Sequence, residues 1–151
     1  MVDFSKYQDI AYKIIGAAME VHSELLGGMQ EPIYKESLHL ELNMEGIFNQ
    51  IEVEVPCYYK NIRLEKTYRM DMLVNKEICV EFKSTKHIIP EHRYQVFNYM
   101  HLTKTPFAIL LNFGGQKLKG ERYGFDEETN ECYILDKNMK PINELYIDRP
   151  N

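Results

Sequence analysis

The stretch Tyr68 to Lys83, YRMDMLVNKEICVEFK, decides the fold of this chain. It contains two runs in which apolar and polar residues alternate, and a period of two predicts β-strands. The apolar residues fall on one side of each run: Met70, Met72 and Val74 in the first, and Ile78, Val80 and Phe82 in the second. A short polar segment, Asn75 to Glu77, separates the runs, so the sequence predicts a β-hairpin.

Burial of both apolar sides in one core fixes the pairing of the two strands. Val74 must lie opposite Ile78, because a shift of one residue would send the two apolar sets to different faces of the sheet. The same register gives three further opposed pairs: Leu73 with Cys79, Asp71 with Glu81, and Arg69 with Lys83. Opposed residues have Cβ atoms about 4.5 to 5.5 Å apart, a separation at which like charges repel. A divalent cation between Asp71 and Glu81 would remove this repulsion.

The composition predicts one globular domain, which we expect to span residues 1–151. The chain has 151 residues, of which 44% are hydrophobic and 12% aromatic, so it can bury a substantial core. Its 23 acidic and 18 basic residues give a formal charge of -5, which is not the charge of a basic nucleic-acid-binding domain. A role in binding nucleic acid must therefore depend on local features.

Neither a membrane span nor a disulfide framework is expected. The longest apolar run, Phe107 to Leu111, is too short to cross a bilayer, and the N-terminal residues lack the apolar segment of a signal peptide. A cytoplasmic location follows as the expectation. The three cysteines, Cys57, Cys79 and Cys132, are widely spaced and form no CxxC pair, which argues against a zinc site.

Hydrophobic spacing predicts an α/β fold with a mixed sheet. Outside the hairpin, the predicted elements are a helix from about Tyr7 to Leu26, a helix from Glu31 to Glu45, a strand from Ile51 to Tyr59, a helix from about Pro90 to Leu102, a buried strand from Phe107 to Phe113, and short strands at Cys132 to Leu135 and Leu145 to Ile147. This order favours antiparallel hairpins followed by a helical crossover into a buried strand, with flanking helices and a small C-terminal β tail.

Three ionic residues of the hairpin share one small area. Glu81 and Lys83 are two residues apart on a strand and project from the same face, next to Asp71. A surface salt-bridge ladder with Arg69 and Lys66 explains these residues equally well. Other segments must therefore distinguish a metal site from a ladder.

Two further patterns flank the hairpin. Gly28 to Tyr34 reads GxxExxY and places Glu31 at the start of the second helix, where its carboxylate could complete a metal site or merely complement the helix dipole. Gln95 and Tyr99 are four residues apart and lie along one helix face. Gln95 could position a water molecule or a phosphate; alternatively, Gln95 satisfies backbone groups while Tyr99 packs into the core.

These segments and the LLNFG strand that follows them occur in the order found in the GxxExxY protein family, which is similar to PD-(D/E)XK nucleases. The resemblance covers roughly Ile14 to Lys119, and the QxxxY pattern resembles the RecB-type branch of that superfamily. It implies a restriction-endonuclease-like core of helix, three strands, helix and strand. One departure is the sequence Arg69-Met70-Asp71, which lacks the proline before the aspartate in the superfamily's name.

The resemblance also implies an activity. It gives roles to six residues: metal binding to Asp71, Glu81 and Glu31, activation of the attacking water to Lys83, and support of the site to Gln95 and Tyr99. Carboxylate ligands without histidine or thiolate suit Mg²⁺ or Mn²⁺. The expected function is Mg²⁺-dependent hydrolysis of phosphodiester bonds in nucleic acid, with DNA as the substrate.

Basic and aromatic residues around the site could contact nucleic acid. The basic candidates are Lys83, Lys86, His87, His92 and Arg93 on one side, and Lys117, Lys119 and Arg122 on the other. Each is equally compatible with a solvated loop. Tyr58 and Tyr59 could stack on bases or pack at the end of the sheet.

The chain has no helicase segment, so unwinding would require a helicase-type partner, and a homodimer is left open.

Two other functions are compatible with the same residues. The acidic net charge favours a non-catalytic nuclease-fold module that binds nucleic acid or a protein partner. A glycosidase could use Asp71 and Glu81 as its acid and base. Lys83 argues against the glycosidase, because a nearby ammonium lowers carboxylate pKa values and hinders a general acid.

Overall fold

The computed structural model describes residues 2–142, which form a mixed β-sheet with helices on both faces. A short 3₁₀ helix, Phe4–Tyr7, leads into α1, Gln8–Leu25. The other elements follow in the order α2, Glu31–Met44; β1, Asn49–Tyr59; β2, Ile62–Val74; β3, Ile78–Lys83; α3, Pro90–Thr103; β4, Phe107–Asn112; β5, Lys119–Asp126; and β6, Glu131–Leu135. The expected strand from Leu145 to Ile147 lies outside the described residues.

The order of strands in the sheet follows their order in the described part of the chain, β1 to β6. Neighbouring strands are antiparallel, except for β3 and β4, which are parallel and are connected through α3. The predicted α/β class and mixed sheet are confirmed, and the predicted strand near Cys132 is β6. The β tail also contains β5, which the sequence pattern does not predict.

Two hydrophobic cores cover the two faces of the sheet. On one face, α1 and α2 pack against the sheet, with Leu38 and Ile109 in the same core. On the other face, α3 packs against the sheet, with Val96 and Leu110 in the second core. Every residue of β4 is buried, as are the first five of β3, because both strands lie between the cores. The end of β3 is therefore a rigid support for the side chains that project from it.

The predicted hairpin register is confirmed close to the turn and is lost beyond it. The paired residues are Val74 with Ile78, Leu73 with Cys79, and Met72 with Val80. Beyond them β2 and β3 are no longer paired, so the predicted pairing of Arg69 with Lys83 is wrong. Arg69 instead pairs with Glu54 of β1 in the ladder, and their side chains form a salt bridge at 3.5 Å.

An irregularity at Asp71 accounts for this loss of pairing. Its carboxylate Oδ2 accepts a hydrogen bond from the backbone N–H of Phe82 at 2.9 Å, so a side chain binds a group that a backbone carbonyl would bind in a regular ladder. On β1 the neighbouring Glu52 has a φ of 52°, which is uncommon for a residue other than glycine. Met70 consequently packs in the α3-side core and Met72 in the opposite core, and the prediction that they share a face is wrong.

The segment after β4 packs closely against the segment after β3. The N–H of Phe113 donates to the carbonyl of Lys83 at 2.8 Å. The side-chain oxygen of Asn112 accepts hydrogen bonds from the N–H groups of Thr85 and Gly114, at 3.0 and 3.1 Å. A Cβ atom at Gly114 would lie 2.1 Å from the carbonyl oxygen of Thr85. Glycine is therefore required at this position, and the contact holds the two segments together.

We expect Gly114→Ala to lower the free energy of unfolding by about 1 to 3 kcal/mol or more, because the added methyl group would overlap the Thr85 backbone. Urea denaturation followed by circular dichroism measures this change. Gly16→Ala is the matched control: nothing lies within 4 Å of its added Cβ, and alanine in a helix interior should stabilise the protein by about 0.5 to 1 kcal/mol. Equal stability of Gly114→Ala and wild type would contradict the close contact.

Candidate functional site

Asp71 and Glu81 form a coupled pair of carboxyl groups at the point where β2 and β3 stop pairing. Burial, the negative charge of Asp71 and a hydrogen bond between the two side chains, in that order of size, raise the pKa of Glu81 to about 8. At neutral pH and without a metal, Glu81 therefore retains its proton. The hairpin does bring the two carboxyl groups together, although through their side chains and not as partners in the backbone ladder.

Glu81 is held in place by two donors from its own face of the sheet. The Tyr68 hydroxyl donates to Oε1 at 2.9 Å, and the Cys79 thiol donates to the same oxygen at 3.5 Å. The ring of Tyr68 in turn stacks on that of Tyr99, with 3.4 Å between centroids. These contacts fix the orientation of Glu81 before any ligand arrives.

Asp71 is held by a backbone group and by a lysine. In addition to the Phe82 N–H, it accepts a hydrogen bond from the Nζ of Lys35, which lies 3.3 Å from Oδ1. Lys35 also lies 3.5 Å from the Oε1 of Glu52, and its side chain is only 13% exposed. Lys35 is not among the site residues predicted from the sequence. The available signal is its position four residues after Glu31, which places both on one face of α2.

Lys83 and the QxxxY pair meet next to the two carboxyl groups. The Nζ of Lys83 donates to the Oε1 of Gln95 at 3.1 Å, and Gln95 also forms a hydrogen bond with Tyr99. Burial raises the pKa of Tyr99, and the charge of Glu81 acts in the same direction. The expectation that the pKa of a carboxyl group beside Lys83 would be lowered is wrong for Glu81, whose pKa burial and Asp71 raise.

Most of the GxxExxY segment shapes the chain between α1 and α2. Gly28 has a φ of 96°, which favours glycine. Tyr34 is fully buried and stacks on Phe113, with 4.4 Å between centroids. Its hydroxyl donates to the carbonyl of Leu26 at 2.5 Å and accepts from the N–H of Met29 at 3.0 Å. The tyrosine of the motif therefore supports the loop.

Glu31 is the first residue of α2 and is partly exposed. It interacts electrostatically with His92, which also feels the charge of Lys83, so Glu31 lies on the side of the molecule that carries Lys83. Within residues 2–142, no three histidine, cysteine, aspartate or glutamate side chains are close enough together to hold a metal ion. Glu31 is therefore not grouped with Asp71 and Glu81.

A divalent cation fits the Asp71 and Glu81 pair by its chemistry. Both groups are hard oxygen ligands of the kind that Mg²⁺ and Mn²⁺ prefer. Burial and the negative charge of Asp71 raise the pKa of Glu81, and a bound cation would relieve the repulsion between the two carboxylates. The pair supplies two protein ligands, and Mg²⁺ commonly retains several waters in such sites.

A basic cleft of about 720 Å³ lies beyond the ends of β3 and β4. Four of the eight basic residues singled out from the sequence line it: Lys86, His87, Lys117 and Lys119. Arg93 does not line it, but it forms a two-contact salt bridge with Glu121, which does. His92 accepts a hydrogen bond from the backbone N–H of Ile89 at the start of α3, and Arg122 is partly buried, which lowers its pKa.

The sequence matches a known protein family. The sequence profile of the PD-(D/E)XK nuclease superfamily matches residues 8–123. The chain belongs to that superfamily. Its members generally use divalent metals and act on nucleic acid. Among curated protein sequences, none matches this chain significantly.

The fold of this superfamily member also resembles a solved structure. The crystal structure of SSO0001 aligns with a TM-score of 0.50 and 18% sequence identity. The alignment covers 82% of this chain but 63% of that one, so the chain spans less than two thirds of the protein it resembles. The likeness concerns the fold, and it agrees with the expected restriction-endonuclease-like core. No helix in the described residues is long and apolar enough to cross a membrane.

Stability should fall as pH rises through the range in which folded and unfolded Glu81 differ. Between the ordinary pKa of 4.5 and about 8, the folded protein holds a proton that the unfolded chain has lost, so unfolding becomes easier by about 1.4 kcal/mol for each pH unit. Urea denaturation in EDTA across this range measures the slope. Glu81→Gln should remove this contribution. A wild-type slope no steeper than that of Glu81→Gln would contradict the raised pKa.

Proposed function

We propose that this chain is a Mg²⁺-dependent nuclease that hydrolyses phosphodiester bonds in DNA, and that it belongs to the GxxExxY branch of the superfamily. We further propose that residues 1–151 are one nuclease-like domain. The observation that carries the proposal is the coupled pair of Asp71 and Glu81 beside a lysine, Lys83, whose ammonium is held by Gln95.

Asp71 and Glu81 would hold the metal ion. When bound, the ion supplies a water of lowered pKa and stabilises charge on the phosphate. The contribution of the chain is to prepare the ligands: Tyr68 orients Glu81, and the Phe82 N–H and Lys35 orient Asp71. Glu81 must release its proton for the pair to act as two anionic ligands. Proton release and metal binding are therefore coupled.

Lys83 is positioned to act on the reacting groups. It lies two residues after Glu81 on the same strand, so both project toward the α3 side of the sheet, and its Nζ is oriented by Gln95 at 3.1 Å. An ammonium so placed orients the attacking water and stabilises the negative charge that develops on the phosphate. Tyr99 supports this arrangement through its hydrogen bond to Gln95 and its stacking on Tyr68.

The basic cleft offers a path for the phosphate backbone. Its three lysines, Lys86, Lys117 and Lys119, concentrate positive charge beyond the ends of β3 and β4, although the whole chain has a formal charge of -5. Contacts between such residues and phosphates supply sequence-independent affinity. This local charge supports nucleic acid as the substrate class.

A second candidate is a nuclease-fold module without catalysis. Two observations favour it: Lys35 already pairs with Asp71, and no third carboxylate joins the pair within residues 2–142. The carboxyl groups are thus satisfied without a metal. The glycosidase is disfavoured because the side chains of Asp71 and Glu81 interact directly with each other, whereas the two carboxyl groups of a glycosidase flank the scissile bond.

Purified protein should cleave DNA in Mg²⁺ or Mn²⁺ and not in EDTA. We expect Asp71→Asn, Glu81→Gln and Lys83→Ala each to lower the cleavage rate by at least about 100-fold, because each removes a metal ligand or the charge that stabilises the reacting phosphate. Gel assays with labelled single- and double-stranded DNA, and with RNA, measure the rate.

Lys76→Ala is the matched control, since Lys76 is exposed in the turn of the same hairpin. This variant should cleave DNA at the wild-type rate. Isothermal titration with Mn²⁺ above pH 8, where Glu81 is ionised, separates the two candidates. Tight binding that is lost in Asp71→Asn supports the nuclease. Cleavage that survives Glu81→Gln would place the activity elsewhere or in a contaminant.

Glu31 is proposed to assist the metal site from α2. Glu31→Gln should then weaken Mn²⁺ binding and lower the cleavage rate, about tenfold for a group that acts through the outer sphere of the metal. Glu36→Gln, on the exposed side of the same helix, is the control and should change neither quantity. If Glu31→Gln behaves like this control, Glu31 serves only the helix terminus.

A further inference from the structure

The hairpin of β1 and β2 continues past the point where the rest of the sheet supports it. β2 pairs with β3 only from Met72 to Val74, but its pairing with β1 extends to Ile62. We call residues 54–69 the arm. Its end is a tight turn in which Lys60 and Asn61 both have positive φ, 48° and 64°, as in the two-residue turns that favour hairpins.

Two adjacent tyrosines are exposed near the end of the arm. Tyr58 is 42% exposed and Tyr59 is 57% exposed, so neither is buried in either core. Both side chains therefore face solvent instead of packing at the end of the sheet. Ile62 and Leu64, on the opposite strand of the arm, are exposed as well. The arm therefore presents aromatic and apolar surface to solvent.

The charge of the arm is opposite to that of the chain. Residues 54–69 contain four basic residues and two acidic residues, Glu54 and Glu65, and Glu54 pairs with Arg69. The arm is therefore net positive, whereas the whole chain has a formal charge of -5. Lys60 lies at the turn, with its Nζ 5.5 Å from the centroid of the Tyr59 ring. Positive charge is thus concentrated beside the exposed aromatic rings.

The arm and the end of α3 enclose a groove of about 540 Å³. Its lining residues on the arm include Tyr58, Tyr59 and Lys60, and those on α3 and its C-terminus are His101, Leu102 and Lys104. Leu102 is seven residues after Gln95 on the same helix, so the groove begins about 10 Å along the helix axis from the candidate active site. A polymer bound in the groove could reach that site, but a small phosphodiester could not occupy both.

We propose that this groove is a second binding site, specific for single-stranded nucleic acid. Bases stack on Tyr58 and Tyr59, and phosphates contact Lys60 and Lys104. Aromatic side chains beside a positively charged groove are the means by which proteins bind unpaired strands, because only unpaired bases expose their faces for stacking. Delivery of the strand to Asp71 and Glu81 rests on the proposed nuclease function, whereas binding in the groove requires no metal.

The charge of the groove favours nucleic acid over the other occupants of such a surface. A second copy of the chain that docked through the same face would bring two arms with like charges together, which is unfavourable. An apolar protein partner would not require the lysines at both walls of the groove. A polyanion with flat apolar rings matches both features.

The test measures the affinity of the full chain for a labelled oligothymidine, and for a duplex of equal length, by fluorescence anisotropy in EDTA at one fixed salt concentration. Tyr58→Ala and Tyr59→Ala should each weaken single-strand binding by at least about fivefold, with a much smaller effect on the duplex. Tyr58→Phe and Tyr59→Phe should bind as wild type does, because the ring is retained. Tyr12→Ala, at an exposed position on α1, is the control.

Three results would overturn the proposal. The first is that neither alanine variant changes the affinity for single-stranded DNA. The second is that the variants lose affinity for single strand and duplex equally. The third is that the variants lose self-association while their affinity for single-stranded DNA stays the same. Hydrolysis of bis(p-nitrophenyl) phosphate, which is too small to span from groove to site, separates this proposal from the preceding one. Absence of that hydrolysis in wild type would count against the nuclease and leave the anisotropy result intact.

Discussion

The meeting of two carboxyl groups at the end of a buried strand pair is the constraint on which the rest of the site depends. Asp71 and Glu81 are brought together because Val74 and Ile78 must share one core. Close to the turn, the backbone ladder satisfies this demand. One residue beyond Met72 the backbone ladder ends, and the Asp71 carboxylate accepts a hydrogen bond from the Phe82 N–H instead. The fold therefore tolerates the acidic pair by retaining a proton on Glu81 and by placing Lys35 against Asp71.

The surrounding structure gives this pair a fixed geometry. β3 lies between two cores, so the backbone that carries Glu81 and Lys83 has little freedom. The loops after β3 and β4 are joined by Asn112 and by the contact at Gly114. As a result, the acidic pair, the lysine and the basic cleft occupy one rigid end of the sheet. Rigid placement of charged groups is what electrostatic catalysis requires.

The spacing of apolar residues in the sequence predicted the helices and the strands of the central hairpin. Alternation identified β2 and β3, and helical spacing identified α1, α2 and α3 within a residue or two of their bounds. The sequence could not predict that Met70 and Met72 would enter different cores, because the change of face arises from a side-chain hydrogen bond across strands. Lys35 was missed for a similar reason: its partner, Asp71, is distant in sequence. The catalytic roles of the six proposed residues stay predictions.

The thiol of Cys79 has a consequence for how motions of the site can be followed. It is fully buried, burial raises its pKa, and it donates to the carboxyl group of Glu81. A protonated, solvent-excluded thiol does not react with alkylating reagents. Cys79 lies in the core that α3 forms with the sheet, so its modification requires transient opening of that core, and the rate of labelling reports the free energy of that local opening. The protein thus carries an internal probe of how firmly α3 covers the strand that bears Glu81.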